Sequence, residues 1–291
     1  MTTLERTAAP FTLGEPTSFG GLALVPLFPA AEPELEYIGL DEAIAHGLAV
    51  TEISDAGAVS TLFVSNPLDV NVLLYEGEEL IGAKQNRILD RPVLVQAQSK
   101  VPVPVTCVER GRWDYRSERF TPAPRAAYPE LRRARAAGGQ SAAWTNVSAK
   151  AARLHAVSPT DASEEMYTRS ASSLETYLAK LPRRDGQCGS VVCVAGRVVC
   201  VDFVSRSDVY AGLYAKLLRG YALDAIEHPT EAPVPTEYIE RLLTRVHKAQ
   251  RAPAPQAGLG QSSALVSPRF AGTELRLGDE VVALTVFPAA A

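Results

Sequence analysis

Histidine is scarce in this 291-residue chain: His46, His155, His228 and His247 are all it has. No two of them fall at a His-x-His or His-Glu-x-x-His spacing, so a zinc site built on histidine is not expected. A carboxylate-bound magnesium needs no short motif and stays open. The cysteines, Cys107, Cys188, Cys193 and Cys200, include no Cys-x-x-Cys pair, and free thiols of a reducing compartment are expected. No stretch approaches the roughly 18 consecutive apolar residues of a membrane span. Met1–Pro10 carries Glu5 and Arg6 but no apolar run, so no secretory signal is expected and the cytoplasm is the default. There is no P-loop and no nucleophile elbow. Gly258-Leu-Gly260 is a mere fragment of a dinucleotide fingerprint, set after a Pro-rich stretch instead of a strand. Nor is there a surplus of positive charge: 29 basic residues face 33 acidic ones, for a net charge of −4. Nucleic acid and anionic membranes are therefore not expected partners.

What is present is an ordinary globular composition, 46% hydrophobic and 21% charged, in a chain long enough to bury a large core without disulfides or metals. Short β-branched runs at Leu22–Phe28, Val50–Ile53, Ser60–Val64, Val70–Tyr75, Val93–Gln96 and Val101–Val105 are punctuated by Gly, Pro, Asn and Asp, which is strand patterning. Leu40–His46 reads as one short helix closed by Gly47. Arg110–Gly139 is rich in Arg, Ala and Pro, and Arg132, Arg133 and Arg135 cluster within it. A solvated surface segment is the plain reading, a phosphate-binding cluster the sharper one.

After Ser158 helices are expected. Asp161 and Glu164 stand at capping-box spacing, and Met166, Leu174, Tyr177, Leu178 and Leu181 follow at helical intervals. Ser207 opens a second helix along Tyr210, Leu213, Tyr214, Leu217 and Tyr221, and Thr236 opens a third. Ala252–Gly260 reads as a linker. Ser190–Phe203 predicts a hairpin turning at Ala195–Gly196, which sets Cys193 opposite Val198 and Cys200 opposite Val191. Glu274–Leu277 and Val281–Phe287 predict another. The expected class is α+β: a β-rich N-terminal half, as a sandwich or curled antiparallel sheet, with helices and hairpins of the C-terminal half packed against it. The expected divisions are 10–115, a connecting segment 116–157, and 158–291, and these can form one integrated domain.

Two polar islands interrupt the apolar pattern. Tyr75–Asp90 places Glu76, Glu78, Lys84, Gln85, Asn86 and Arg87 between apolar strands, with Glu76 and Glu78 on one face if the segment is extended. Gly77 and Gly82 permit tight turns or close ligand approach. Pro104–Trp113 holds Cys107, Glu109, Arg112 and Trp113. Arginines beside a thiol can lower its pKa, and an arginine fork beside an indole suits a phosphate and a flat ring. The plain alternatives are a surface turn, a buried structural cysteine and a core tryptophan. The two islands are expected to meet in space.

The runs Gly77-Glu-Glu-Leu-Ile-Gly-Ala-Lys-Gln-Asn-Arg87 and Pro104-Val-Thr-Cys-Val-Glu-Arg-Gly-Arg-Trp113 resemble a bacterial family, the ARG and rhodanese-phosphatase-superfamily-associated protein domain, where ARG denotes ADP-ribosylglycohydrolase. Similarity extends to Gln140–Trp144, Gly186–Phe203 and Leu217–Ala225, while Arg132–Arg135 has no counterpart in the pattern. By association the resemblance implies NAD or ADP-ribose metabolism. On that basis Lys84, Gln85, Asn86, Arg87, Arg112 and Trp113 are the candidate contacts to a phosphorylated small molecule. Glu76, Glu78, Glu109 and Cys107 are the candidate acid–base or nucleophilic groups. No cofactor is specified. The competing reading is a non-enzymatic interaction or self-assembling module, in which the Glu/Lys/Arg motif is a structural ion-pair network.

Overall fold

The computed structural model describes residues 9–289. In chain order its first elements are β1 (Phe11–Leu13), β2 (Thr17–Phe19), β3 (Leu22–Pro29), β4 (Tyr37–Gly39), α1 (Leu40–Ala45), β5 (Ala49–Glu52), β6 (Thr61–Asn66) and β7 (Asn71–Leu74). Next come β8 (Glu78–Gly82), β9 (Arg87–Leu89), β10 (Val93–Val95), β11 (Ser99–Cys107), β12 (Phe120–Ala126), α2 (Pro129–Arg153), α3 (Glu164–Arg169) and α4 (Ala171–Lys180). The chain closes with β13 (Gly189–Val194), β14 (Arg197–Val204), α5 (Ser207–Ala225), α6 (Thr236–His247), β15 (Gln250–Pro253), β16 (Gln261–Ser267), β17 (Phe270–Leu277) and β18 (Glu280–Pro288).

The architecture is α+β, with three sheets. A nine-stranded sheet runs β1-β3-β13-β14-β18-β17-β16-β15, with β2 also on β3. A six-stranded sheet runs β12-β8-β9-β11-β6-β5, and a three-stranded one β10-β7-β4. The first strands do not stay with their sequence neighbours. β3 pairs antiparallel with β13, Leu22 opposite Val194 through Leu27 opposite Gly189, so the N-terminal end is hydrogen-bonded into the C-terminal sheet. Helix α5 lies against β3, β12, β13 and β14. Its buried side chains include Tyr210, Leu213, Lys216, Leu217, Tyr221 and Asp224, the all-round burial of a central helix. No helix among the described residues is long and apolar enough to cross a membrane.

Several sequence expectations are corrected by tertiary contacts. The Arg-rich stretch is a mostly exposed loop only up to Arg119: from Phe120 it supplies β12 and the start of α2, and Arg132 within it is 1% exposed. Glycines 138 and 139 leave helical geometry, so α2 bends where backbone freedom is greatest. The first hairpin turns where predicted, but a bulge between Val192 and Cys193 shifts one arm by a residue. Cys200 therefore faces Val192, not Val191, while Cys193 faces Val198. Asp161 is not the cap of α3: Ser163 precedes that helix and Arg206 precedes α5, and neither caps its helix through its side chain; near α3 it is Ser158 Oγ that accepts from the Thr160 and Ala162 amides. The expected linker, Ala252–Gly260, begins inside an edge strand, Gln250–Pro253.

Candidate functional site

The two polar islands come together on the six-stranded sheet. β8 and β9 form a tight hairpin with Leu80 opposite Arg87, and β11 then pairs with β9 so that Cys107 stands opposite Arg87. Directly opposed residues share a face, so the Cys107 thiol and the Arg87 guanidinium start from the same side. The end of β11 is held by Gln140, whose amide donates to Cys107 O and accepts from Cys107 N, both at 2.8 Å. The bend in α2 falls immediately before Gln140. Sequence reasoning saw Gln140 as part of a similar run but gave it no task.

Glu109 and Arg112 are a closed unit. Arg112 Nε and Nη2 donate to the two carboxylate oxygens of Glu109 at 2.9 and 2.6 Å. Glu109 also accepts from Asn86 N and Thr160 Oγ1 at 3.0 and 2.9 Å, and Arg112 Nη1 donates to the carbonyls of Ala83 and Asp114. Burial pushes the Glu109 carboxyl up, but these bonds, led by Arg112, outweigh it and hold the group below its ordinary value. Asn86 Oδ1 accepts from Arg112 at 3.3 Å. This unit locks the turn between β8 and β9.

The remaining carboxylates point elsewhere. Glu76 and Glu78 do not share a face, because Gly77 between them sits at φ +85° and breaks the strand alternation. Glu76 meets Arg135 at 3.1 Å and Thr273 Oγ1 at 2.6 Å. Glu78 meets Lys216 at 3.0 Å and the Tyr75 amide at 2.9 Å; burial still raises its pKa, against the pull of Lys216. Glu79, which sequence reasoning passed over, takes both oxygens to Arg125 at 2.8 and 2.9 Å. All of these carboxylates are buried. The Cys107 thiol is buried too, and burial raises its pKa despite Arg87.

Arg87 is the exception. It is 0% exposed, yet its Nε and Nη2 have no hydrogen-bond partner, and Nη1 reaches only the Asn86 carbonyl at 3.4 Å. Burial lowers its pKa, partly offset by Cys107 and Glu52. Above it lies Trp113, 41% exposed, with the ring centroid 5.7 Å from the Arg87 guanidinium carbon. Lys84 Nζ sits 5.3 Å from that ring and 5.0 Å from the exposed Tyr115 ring, and donates to Ala56 O at 3.2 Å. Gln85 is buried with its Oε1 unpartnered. A cation-rich floor beneath two exposed aromatic rings can receive an anion joined to a flat ring.

The only acidic group among the described residues close enough to share a metal is Glu130, Asp224 and Glu227. It is already spanned by cations: Lys150 Nζ lies 2.9 Å from Asp224 and contacts Glu227, and Arg153 reaches Glu130 and Glu227 at 2.8 and 2.5 Å.

The model of the ARG and rhodanese-phosphatase-superfamily-associated protein domain matches residues 10–287. The chain belongs to this family. Nearly the whole described length is the family domain, so both polar islands and the sheet that unites them lie inside it. Comparison with curated proteins and with solved structures finds no match.

Proposed function

We propose that this protein binds a phosphorylated, nucleotide-derived small molecule of the NAD or ADP-ribose type, with Arg87 taking the phosphate and Trp113 stacking on the base. The observation that carries the reading is Arg87: a fully buried guanidinium with two unpartnered donor nitrogens. A buried charge without a partner is costly, and a phosphate offers the geometry that its fork matches. Because Trp113 covers Arg87, the indole swings aside to admit the ligand. The family's name, with its ADP-ribosylglycohydrolase association, supports the ligand class. Glu76, Glu78, Glu109 and Arg112 serve as framework in this reading, since each already has a close ionic partner. That same pairing favours the second reading, a binding-inert interaction module stabilised by ion pairs.

A thermal-shift panel of NAD, ADP-ribose, AMP and simple phosphates separates the two. At a hundred times its dissociation constant a ligand adds about 2.7 kcal/mol of stability. Arg87→Lys should weaken binding by roughly ten- to a hundredfold, the loss of one charge-assisted contact, with the folded stability little changed. Arg112→Lys should instead lower stability, because it breaks the fork on Glu109. If no phosphorylated compound stabilises the wild type, the interaction module is the surviving reading.

A further inference from the structure

The geometry points to Glu52 and Gln85 as acceptors that recognise hydroxyl groups beside the phosphate on Arg87, which makes the bound end of the ligand a sugar phosphate of the ribosyl type. This rests on Arg87 being the phosphate contact. Glu52 lies outside both polar islands, at the end of β5, where Val50 and Glu52 take the buried positions of an alternating strand. A carboxylate 8% exposed at such a position needs a partner. Its Oε1 accepts from the Lys84 amide at 3.3 Å, but its Oε2 has none. The Lys84 ammonium forms no ion pair with it and donates instead to Ala56 O.

Gln85 repeats the pattern. Its amide nitrogen donates to Arg110 O at 3.4 Å, and its Oε1 is left over. The unsatisfied atoms are thus two donors, Arg87 Nε and Nη2, and two acceptors, Glu52 Oε2 and Gln85 Oε1. Trp113 links the charged ones: its ring lies 5.7 Å from the Arg87 guanidinium carbon, and its Cζ2 borders Gly57 on the side of Glu52. A Cβ built on Gly57 would stand 3.3 Å from Glu52 Oε2, 3.3 Å from Trp113 Cζ2 and 3.1 Å from Lys84 Cδ. With φ at +74°, this position favours glycine, and any side chain there would crowd the carboxylate.

Inorganic phosphate would satisfy Arg87 but leave Glu52 facing a like charge. A sugar phosphate resolves both, because its hydroxyls donate to the carboxylate and the amide oxygen while the phosphate accepts from the guanidinium. An acidic side chain on ribose hydroxyls beside a bound phosphate is a physically favoured pairing.

Calorimetric titration of the wild type, Glu52→Gln and Gln85→Leu with ribose 5-phosphate and with inorganic phosphate tests this. The wild type should hold ribose 5-phosphate about tenfold or more tighter than phosphate, the worth of hydrogen bonds to a charged acceptor. Glu52→Gln should lose most of that preference while binding phosphate as well as before or better, since a repulsive charge is gone. Gln85→Leu should narrow the ratio with Glu52 intact. A purely structural role would lower both affinities together, and that result in a folded variant overturns the inference. Equal wild-type affinity for the two probes overturns it also, even if neither variant folds. Absence of any binding to the wild type removes the Arg87 reading itself, and the inference falls with it.

Discussion

Three buried arginines of this protein show how context divides one side chain into different tasks. Arg112 is spent on Glu109 and backbone carbonyls, Arg132 on Asp202, and Arg87 on almost nothing. Arg87 should therefore behave unlike an ordinary core residue when replaced. Removing a guanidinium whose Nε and Nη2 have no hydrogen-bond partner, and whose burial Cys107 and Glu52 only partly offset, relieves a desolvation cost, and methionine keeps a long flexible stem in the same space. Arg87→Met is expected to raise the stability of the unliganded protein by about 1–3 kcal/mol, measured by urea unfolding, and to abolish binding of phosphorylated ligands. Stability sacrificed at a site is a common mark of function. A less stable Arg87→Met would mean that the guanidinium supports the fold. In the sequence Arg87 and Arg112 look alike, each beside glutamates in a polar run; which one finds a carboxylate depends on side-chain placement that residue order does not encode.

At the scale of elements, turns and close approaches decide which glycines matter. Of the two uses open to Gly77, a tight turn and a close ligand approach, the structure has the turn, and its open side is filled by Arg132: a Cβ there would lie 2.7 Å from Arg132 Cδ and 2.8 Å from its Nε. The residue also holds φ +85°, so any side chain meets both backbone strain and a collision. Gly77→Ala should destabilise the protein by at least about 1–2 kcal/mol from the backbone alone, with the displaced Arg132 adding to it. Thermal unfolding of the variant would show this, and an unchanged midpoint would mean that the turn can relax. Strand and helix identities were mostly legible at this scale, as in Leu22–Pro29, Ser207–Ala225 and the hairpin at Ala195–Gly196. Some of the misses share a cause. β8 and β9 consist largely of the polar island itself, and α2 buries Arg132 on Asp202, so burial of paired charge concealed elements that apolar periodicity would have revealed.

The whole molecule is knotted together at Asp202. Its carboxylate accepts from Arg132 at 2.9 and 2.7 Å, from Tyr75 at 2.8 Å and from Tyr221 at 2.7 Å, so α2, β14, α5 and the end of β7 converge on one buried charge. Burial pushes the Asp202 carboxyl up, but Arg132 and the two phenols outweigh it and hold the pKa below its ordinary 3.8. A depressed carboxylate contributes stability that is present above the unfolded value and is lost as pH falls through the folded one. Asp202→Asn leaves Arg132 without its counter-charge and should cost about 3–5 kcal/mol at neutral pH. That deficit relative to wild type should persist down to pH 3.8 and shrink only in stronger acid, followed by unfolding curves at stepped pH. A deficit that closes already at mildly acidic pH would contradict the depressed pKa.

The order of residues alone determined the class of the fold, most strand and helix positions, the hairpin turns and the adjacency of the two polar islands. Those follow from short-range rules: period-two and period-3.6 apolar spacing, glycine at turns, proline after helices. It also carried the family motifs. Left to the three-dimensional arrangement were the insertion of β3 into the C-terminal sheet, the inward course of Arg132, and the partners of every buried charge. Such pairings join residues far apart in the chain, as Arg132 and Asp202 do, and their energies depend on distances and burial that exist only once the chain has folded. For the same reason Glu52, distant from both islands in sequence, came into view only beside Arg87 and Trp113.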